Sequence, residues 1–516
     1  MEEKIQEVVI VGGGTAGWLS ALFLKKHLGK EANITLIESP NIPTIGAGEA
    51  TIPGIISFIE ALGIDEEDFL ISCNATFKFG IEYTHWTNPN EKNPIWHPFY
   101  STKKLSPSIA DLYFYKEKMG LTEENIASFW NPDMPFILEN KAPRDFTESP
   151  YYWNIPYAYH FDSHLLAKFL TNLGEKKGIK HISDTVIDVQ MQDKENIHSV
   201  HTRSNGSFKA DLFIDCSGFK RIMIKEKLNS PYVSVQDKIL CDRALALKLP
   251  YKNKSEEMTP YTTVKGMKSG WMWRIPLQEE IGYGYVHSSR HSSKEEATEE
   301  MSQHLGFSPE KYPLNHIFME NGYLEKPWIG NCIAIGLSAG FIEPLESTGL
   351  YFITYTLDTL LKYFPCKGNF KHQAKPYNLE LQNLTKSVLT FIYLHYHLNS
   401  RDDTPFWQDN KNNPVKDPDL EAVYQNYLEN YGKPLILSTF KKSSVFTGPS
   451  YIFFLHGLGI KPKEFPPIAK HPNFNRIAEL EHQQSILQSK QLEKLPTMEV
   501  FLKHLKEKKM SSNLKT

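Results

Sequence analysis

The sequence predicts an α/β protein with a parallel-sheet core, an inserted mixed-sheet domain and a largely helical C-terminal region. Three observations predict it. The chain opens on a β-branched strand, a glycine turn and a helix ("VVIVGGGTAGWLSALFLKK", 8–26). Two later segments, Ala210 to Phe219 and Gly330 to Phe352, each read as a strand ending in a small-residue turn, and the second continues into a helix. From about residue 361 apolar residues recur at helical spacing, as in "LTKSVLTFIYLHYHL". At 516 residues the chain exceeds one core, so two or three folding units are expected. A hydrophobic content of 41%, a charged content of 23% and a net charge of −3 describe an ordinary globular protein, with no basis for nucleic-acid binding. The basic tail "FLKHLKEKKMSSNLKT" reads as a solvated helix end that frays. The cysteines, Cys73, Cys216, Cys241, Cys332 and Cys366, form no CxxC, which argues against a disulfide framework and a metal site and suits a reducing cytoplasm. The uncharged run Val8 to Leu24 contains four glycines and no secretory cleavage pattern follows it, so no membrane span is expected.

The first element carries chemistry. Its turn, Gly12-Gly13-Gly14-Thr15-Ala16-Gly17, leads into a helix, and the next strand, "NITLIE", ends on an acid, Glu38. Strand, tight turn, helix, strand and acid in that order form a dinucleotide site. Gly12 lets the chain turn, Gly14 lets the backbone approach a pyrophosphate, and Gly17 lets helix and strand pack closely. The helix start at Thr15 and Ala16 offers free N–H groups to phosphate, and Glu38 accepts from ribose hydroxyls. Three separated segments returning to one Rossmann-like core resemble the FAD-binding fold of flavin hydroxylases. On that resemblance "GAGEATIP" (46–53), with Ala47 and Glu49, passes close to the isoalloxazine ring, and the turn at Gly336 belongs to the same core. The expected organisation is an FAD-binding core over 1–360, built from segments at about 1–75, 180–225 and 325–360. Substrate segments at about 76–179 and 226–324 lie between them, and a helical region, 361–516, closes over the substrate pocket.

"GWMWRIPLQ" (270–278) holds two of the nine tryptophans. With strand alternation Trp271, Trp273 and Ile275 share one face and Met272 and Arg274 the other; Pro276 has no N–H and ends the ladder. In "FKFGIEY" Lys78 lies between two phenylalanines. Either it is a surface lysine on an alternating strand, or it is desolvated, which disfavours its charge and frees the amine.

The Trp-x-Trp-x-Ile-Pro at 271–276, the F-x-x-P-x-x-S-x-G formed by Phe341, Pro344, Ser347 and Gly349, and the setting of Lys78 together resemble the flavin-dependent halogenases of the tryptophan-halogenase type. The resemblance implies FAD, reduced by a separate flavin reductase, and a halide ion: chloride, bromide or iodide. Hypohalous acid is made at the flavin, passes through a tunnel and halogenates an electron-rich aromatic ring. Trp271, Trp273, Ile275 and Pro276 are then a wall between flavin and substrate. Lys78 activates the hypohalous acid, and Glu346, with Glu343 as its rival, orients that species or takes the ring proton. Thr348 and Gly349 hold halide. His97 and Phe99, in "NPIWHPFY", stack on the substrate, with Ser347, Tyr451, Phe453 and Phe454 completing the pocket. The stretch Ser443 to Ile460 has neither tryptophan nor acid, a departure from tryptophan halogenases that points to a simpler indole, a phenol or a carrier-bound ring. The resemblance leaves a homodimer open. Two rivals remain on the same fold: a monooxygenase that hydroxylates its substrate directly, and a catalytically silent FAD-binding protein.

Overall fold

The computed structural model describes residues 3–42, 48–413, 415–429, 444–463 and 467–513. They form two compact units. One gathers Met1–Asn74, Phe161–Asp242 and Phe318–Thr385; the other gathers Ala75–His160, Arg243–Ile317 and Lys386–Thr516.

The first unit is built on a six-stranded sheet in the order Trp328–Ile329, Cys332–Ala334, Leu212–Asp215, Glu7–Val11, Asn33–Glu38, Lys180–Ser183. All neighbours are parallel except the first pair, whose edge strand runs antiparallel. Val8 to Val11 are buried, as a strand covered on both faces requires. On one face the helix Thr15–Leu28 packs against the helix Ser163–Lys176, close enough that a Cβ on Gly174 would meet the Trp18 ring. The other face is covered by the antiparallel strands Val186–Met191, Ile197–Thr202 and Gly206–Lys209, whose Val189, Ile197 and Val200 join Val9, Val11, Ile37 and Phe213 in one core. The sequence segmentation set 76–179 apart from this core. The structure brings Phe161 onward into it, because the helix from Ser163 supplies the covering layer for Thr15–Leu28.

The second unit is built on a seven-stranded sheet in the order Asn315–Phe318, Arg243–Pro250, Glu280–His287, Gly270–Pro276, Thr262–Gly266, Gly80–Thr84, Ile95–Pro98. The tryptophan strand, Gly270–Pro276, lies between Thr262–Gly266 and Glu280–His287, antiparallel to both. Its pairing ends at Pro276, opposite Ile281, as expected for a residue without an N–H. Met272 joins a core with Leu245, Tyr283 and Tyr285, leaving Trp271, Trp273 and Ile275 on the opposite face. Trp273 is paired with Gly284, and a Cβ there would lie 1.9 Å from the indole ring. A short strand, Thr76–Lys78, pairs antiparallel with Ala158–Phe161.

The region beyond residue 361 is helical: Lys371–His397, Pro405–Asn412, Pro418–Glu429, Gly448–Gly457, Pro472–Lys490 and Met498–Asn513. The last of these corrects the expectation of a frayed, solvated tail. Met498, Phe501, Leu502 and Leu505 are buried, at the spacing of one helical face. Phe501 packs on Phe77 at 5.7 Å and stacks on Phe146 at 5.8 Å, and the buried Arg144 guanidinium lies over both Phe77 and Phe501. No helix among the described residues is long and apolar enough to cross a membrane.

Candidate functional site

The nucleotide motif occupies the carboxyl ends of the parallel strands of the first unit. Gly12 has φ +118°, and a Cβ there would strike the Cys216 carbonyl oxygen at 2.1 Å; only glycine makes this turn. A Cβ on Gly17 would lie 1.8 Å from the Gly12 carbonyl oxygen. Gly14, which caps the helix Thr15–Leu28, is exposed, and no atom lies within 4 Å of where its Cβ would be. The N–H groups of the first helical turn, from Thr15 and Ala16 onward, therefore face an open cradle suited to an anion. The Glu38 carboxyl lies over Gly13, where a Cβ would meet it at 2.1 Å, and its Oε2 is bonded to His181 Nε2 at 3.0 Å. Gly336, at φ +68°, abuts this helix start: a Cβ there would lie 2.6 Å from that of Ala16. Glu49 is half-buried. Desolvation, followed by the negative charge of Asp162, raises its carboxyl to about 7. Ala47 lies outside the described residues. Open helix N-terminus, strand-end acid and close-packed glycines together fit a dinucleotide cofactor.

The same unit carries the second anion-competent helix start. Pro344–Glu346 forms a single turn, Ser347 takes the left-handed conformation at φ +57°, Thr348 caps, and Gly349–Lys362 continues as a helix. Glu346, Ser347 and Thr348 are buried, whereas Gly349 is exposed with nothing within 4 Å of its Cβ position. Glu346 is thus a buried acid in the turn ahead of the helix. Glu343 is buried as well, and its N–H donates to Asn321 Oδ1 at 2.9 Å, while Asn321 Nδ2 donates to the Cys241 carbonyl at 2.7 Å.

The second unit holds the remaining candidates. Lys78 is 0% exposed, so it is not a surface lysine on an alternating strand: Phe77, Lys78 and Phe79 are all buried. Its Nζ lies 5.4 Å from the centroid of the Phe99 ring. His97, also buried, packs on Phe391 at 5.3 Å and Phe446 at 5.9 Å. The helix Gly448–Gly457 brings Tyr451 and Phe454 to Phe391, at 4.9 and 6.1 Å. Phe453, on another face of that helix, turns instead to Tyr100 and Trp130, at 6.0 and 5.4 Å. The helix thus presents Tyr451 and Phe454 to Phe391 and Phe453 to Tyr100 and Trp130. Trp271 and Trp273 lie 6.1 Å apart, and among the described residues neither indole N–H has a hydrogen-bond partner. Ile275 and Pro276 are buried, and the Pro276 carbonyl accepts from Thr76 Oγ1 at 2.6 Å. No group of histidine, cysteine or acid side chains among the described residues is arranged to hold a metal ion.

A family model described as tryptophan halogenase matches residues 7–473. The chain belongs to the tryptophan-halogenase family. It is 34% identical to the tryptophan 7-halogenase RebH of Lentzea aerocolonigenes, over 98% of this chain and 99% of that one. The crystal structure of a tryptophan halogenase from Shewanella frigidimarina superposes with a TM-score of 0.89 at 29% identity, covering 97% of this chain and 98% of that one. The tryptophan 6-halogenase SttH of Streptomyces toxytricini gives 0.88 at 33% identity, covering 96% and 99%. The protein is a flavin-dependent halogenase, an enzyme of FAD and halide chemistry on aromatic substrates.

Several organising residues of this halogenase were not singled out from the sequence. Asp215, at the end of Leu212–Asp215, accepts from Ser217 N–H and Oγ and from Ser338 Oγ through one oxygen, and from Met223 and Ile224 N–H through the other. It anchors two of the three nucleotide-core segments. Its signal was an acid at a strand end followed by small residues, "DCSG". Thr76 and His160, behind Lys78, had no such local signal.

Proposed function

We propose that the enzyme makes hypohalous acid from chloride, bromide or iodide and uses it, through Lys78, to halogenate an electron-rich indole- or phenol-like ring. The observation that carries this reading is the fully buried Lys78 amine over the Phe99 ring. A separate flavin reductase supplies the reduced cofactor, as the family resemblance implies. Gly12, Gly14, Thr15, Ala16 and Gly17 would hold the pyrophosphate, Glu38 the ribose, and Glu49 and the turn at Gly336 the flavin end. Reduced FAD supplies, with O2, the oxidising equivalent that turns halide into hypohalous acid.

The chain's own residues do the rest. The N–H groups at Thr348 and Gly349 hold halide at a helix start. Trp271, Trp273, Ile275 and Pro276 keep the aromatic substrate from direct oxygen transfer, and the two indole donors, without partners among the described residues, suit a polar, mobile guest. Lys78 donates a hydrogen bond to the hypohalous acid and makes its halogen more electrophilic. Phe99 and His97 present flat faces to the ring. Glu346, with Ser347 beside it, takes the proton that the ring gives up. The helix Gly448–Gly457, with Tyr451, Phe453 and Phe454 but no tryptophan or acid, favours a ring without an amino-acid backbone. Five free cysteines suit a cytoplasmic enzyme.

The test is mass spectrometry of the purified enzyme supplied with FAD, a flavin reductase, NADH and oxygen, against indoles and phenols in each halide. The proposal expects product masses that follow the halide. A gain of one oxygen independent of halide would make the enzyme a hydroxylase; bound flavin without turnover would make it a silent flavoprotein.

A further inference from the structure

Resting on the role proposed for Lys78, we infer that Thr76 and His160 are positioning residues of the halogenation step. They form a one-way hydrogen-bond chain that ties the end of the tryptophan strand to the lysine strand. The chain runs from Thr262 through His160 and Thr76 to the carbonyl of Pro276.

Its direction follows from counting protons. Thr76 Oγ1 lies 2.6 Å from the Pro276 carbonyl oxygen, which can only accept, so the one hydroxyl proton of Thr76 is committed there. Toward His160 Nδ1, at 3.3 Å, the same oxygen can then only accept, and Nδ1 must carry the hydrogen. His160 is fully buried; burial, and then the charges of Lys78 and Arg274, hold its imidazole well below the ordinary range. A neutral ring has one N–H, so Nε2 is bare and accepts from Thr262 Oγ1 at 2.8 Å. Each hydrogen bond of the chain then has one sense: Thr262 Oγ1 donates to His160 Nε2, His160 Nδ1 donates to Thr76 Oγ1, and Thr76 Oγ1 donates to the Pro276 carbonyl.

The chain acts where the sheet cannot. Pro276 ends the tryptophan strand and has no N–H to extend the ladder. Its carbonyl is held from the side by Thr76, and two residues further on Gln278 Nε2 donates to the Ala75 carbonyl at 2.7 Å. Thr76 and Lys78 are two apart on one strand, so their side chains leave the same face. Fixing Thr76 to Pro276 sets the spacing between the Lys78 amine and the strand of Trp271 and Trp273. His160, paired with Thr76 across the two strands, keeps the threonine hydroxyl pointed at the carbonyl.

The test compares Thr76→Val, which removes the hydroxyl at similar volume, with Thr76→Ser, which keeps it. Each is assayed with bromide for halogenated product per O2 consumed, for oxidant escaping to a soluble thiol trap, and for substrate KM. Thr76→Val should lower product yield and kcat about tenfold, short of the roughly hundredfold that a 1 Å misplacement can cost, with escaped oxidant rising and KM unchanged. Thr76→Ser should restore the yield. In parallel, histidine-selective 15N NMR of the wild-type enzyme and of His160→Gln should assign to His160 a neutral ring that carries its proton on Nδ1 and does not titrate near neutrality, as a signal distinct from that of His395, whose Nδ1 also faces a carbonyl; this readout survives if Thr76→Val fails to fold. Unchanged yield in Thr76→Val, equal damage in Thr76→Ser, or no neutral Nδ1–H ring at His160 would overturn the inference. A wild-type enzyme that makes no halogenated product counts instead against the function proposed above.

Discussion

A lysine with no exposed surface is rare, because an ammonium group is costly to remove from water. The face of Phe99 offers partial compensation through its quadrupole. From the residues alone, Phe-Lys-Phe reads first as an alternating strand with its lysine in water, and the family resemblance reverses that reading. The structure buries both faces, because Phe77 is covered by Phe501 and Tyr157 while Lys78 is turned toward Phe99. That information is not local to the tripeptide: it lies in Phe99, Tyr157 and, at the far end of the chain, Phe501. The glycine turn was legible because its demands are local: Gly12 takes a φ of +118° that favours glycine, and Gly17 lies against the Gly12 carbonyl of the same turn. Thr76 and His160 were not legible, since their partners are 84, 102 and 200 residues distant. Glu49 yields a prediction at this scale. Its carboxyl is raised from 4.5 to about 7, so the folded protein holds a proton that the unfolded chain has released. The stability tied to that proton is full below the ordinary carboxyl range and is lost as pH rises through about 7. In thermal unfolding of the flavin-free protein, Glu49→Gln should match wild type near about pH 4 and exceed it by a margin that grows and levels off by about pH 8. A margin independent of pH would contradict the assignment.

At the scale of elements, the N-terminal strand–turn–helix–strand was readable because local propensity, turn chemistry and spacing agree. The tryptophan strand was readable as well. Its alternation survives in the structure, with Met272 in one core and the tryptophans on the other face. The depth of its packing was not, since the room for Trp273 is made by Gly284 on the neighbouring strand. The C-terminal helix shows how composition can hide a pattern. Its lysines suggested a frayed end, yet Met498, Phe501, Leu502 and Leu505 repeat at three- and four-residue intervals and all are buried. Because Phe501 packs directly on Phe77, next to Lys78, this helix supports the lysine strand from behind. Phe501→Ala should therefore cost about 3–4 kcal/mol in urea unfolding, as buried phenylalanines do. A loss within about 0.5 kcal/mol, typical of a surface change, would return the helix to the status of a solvated tail.

At the scale of the whole molecule, each unit is assembled from three stretches of chain. The sequence motifs divide between them: the glycine turn, Glu38, Glu49, Glu346 and the Thr348–Gly349 helix start belong to one, and Lys78, His97, Phe99 and the tryptophan strand to the other. The three-segment core was visible because each segment carries its own strand and turn. The membership of the helix Ser163–Lys176 was not, since an amphipathic helix does not announce which sheet it covers. On the proposed reading oxidant is generated at the nucleotide motif and Lys78 acts on it afterwards. Lys78→Met, which keeps the stem and removes the amine, tests that directly. With FAD, a flavin reductase, bromide and a substrate that the wild-type enzyme brominates, the variant should bind flavin normally and still deliver oxidised bromide to a soluble trap. Its ring-brominated product should fall at least about a hundredfold, the scale of losing a group that acts in the transition state. Wild-type levels of brominated ring from Lys78→Met would contradict the account.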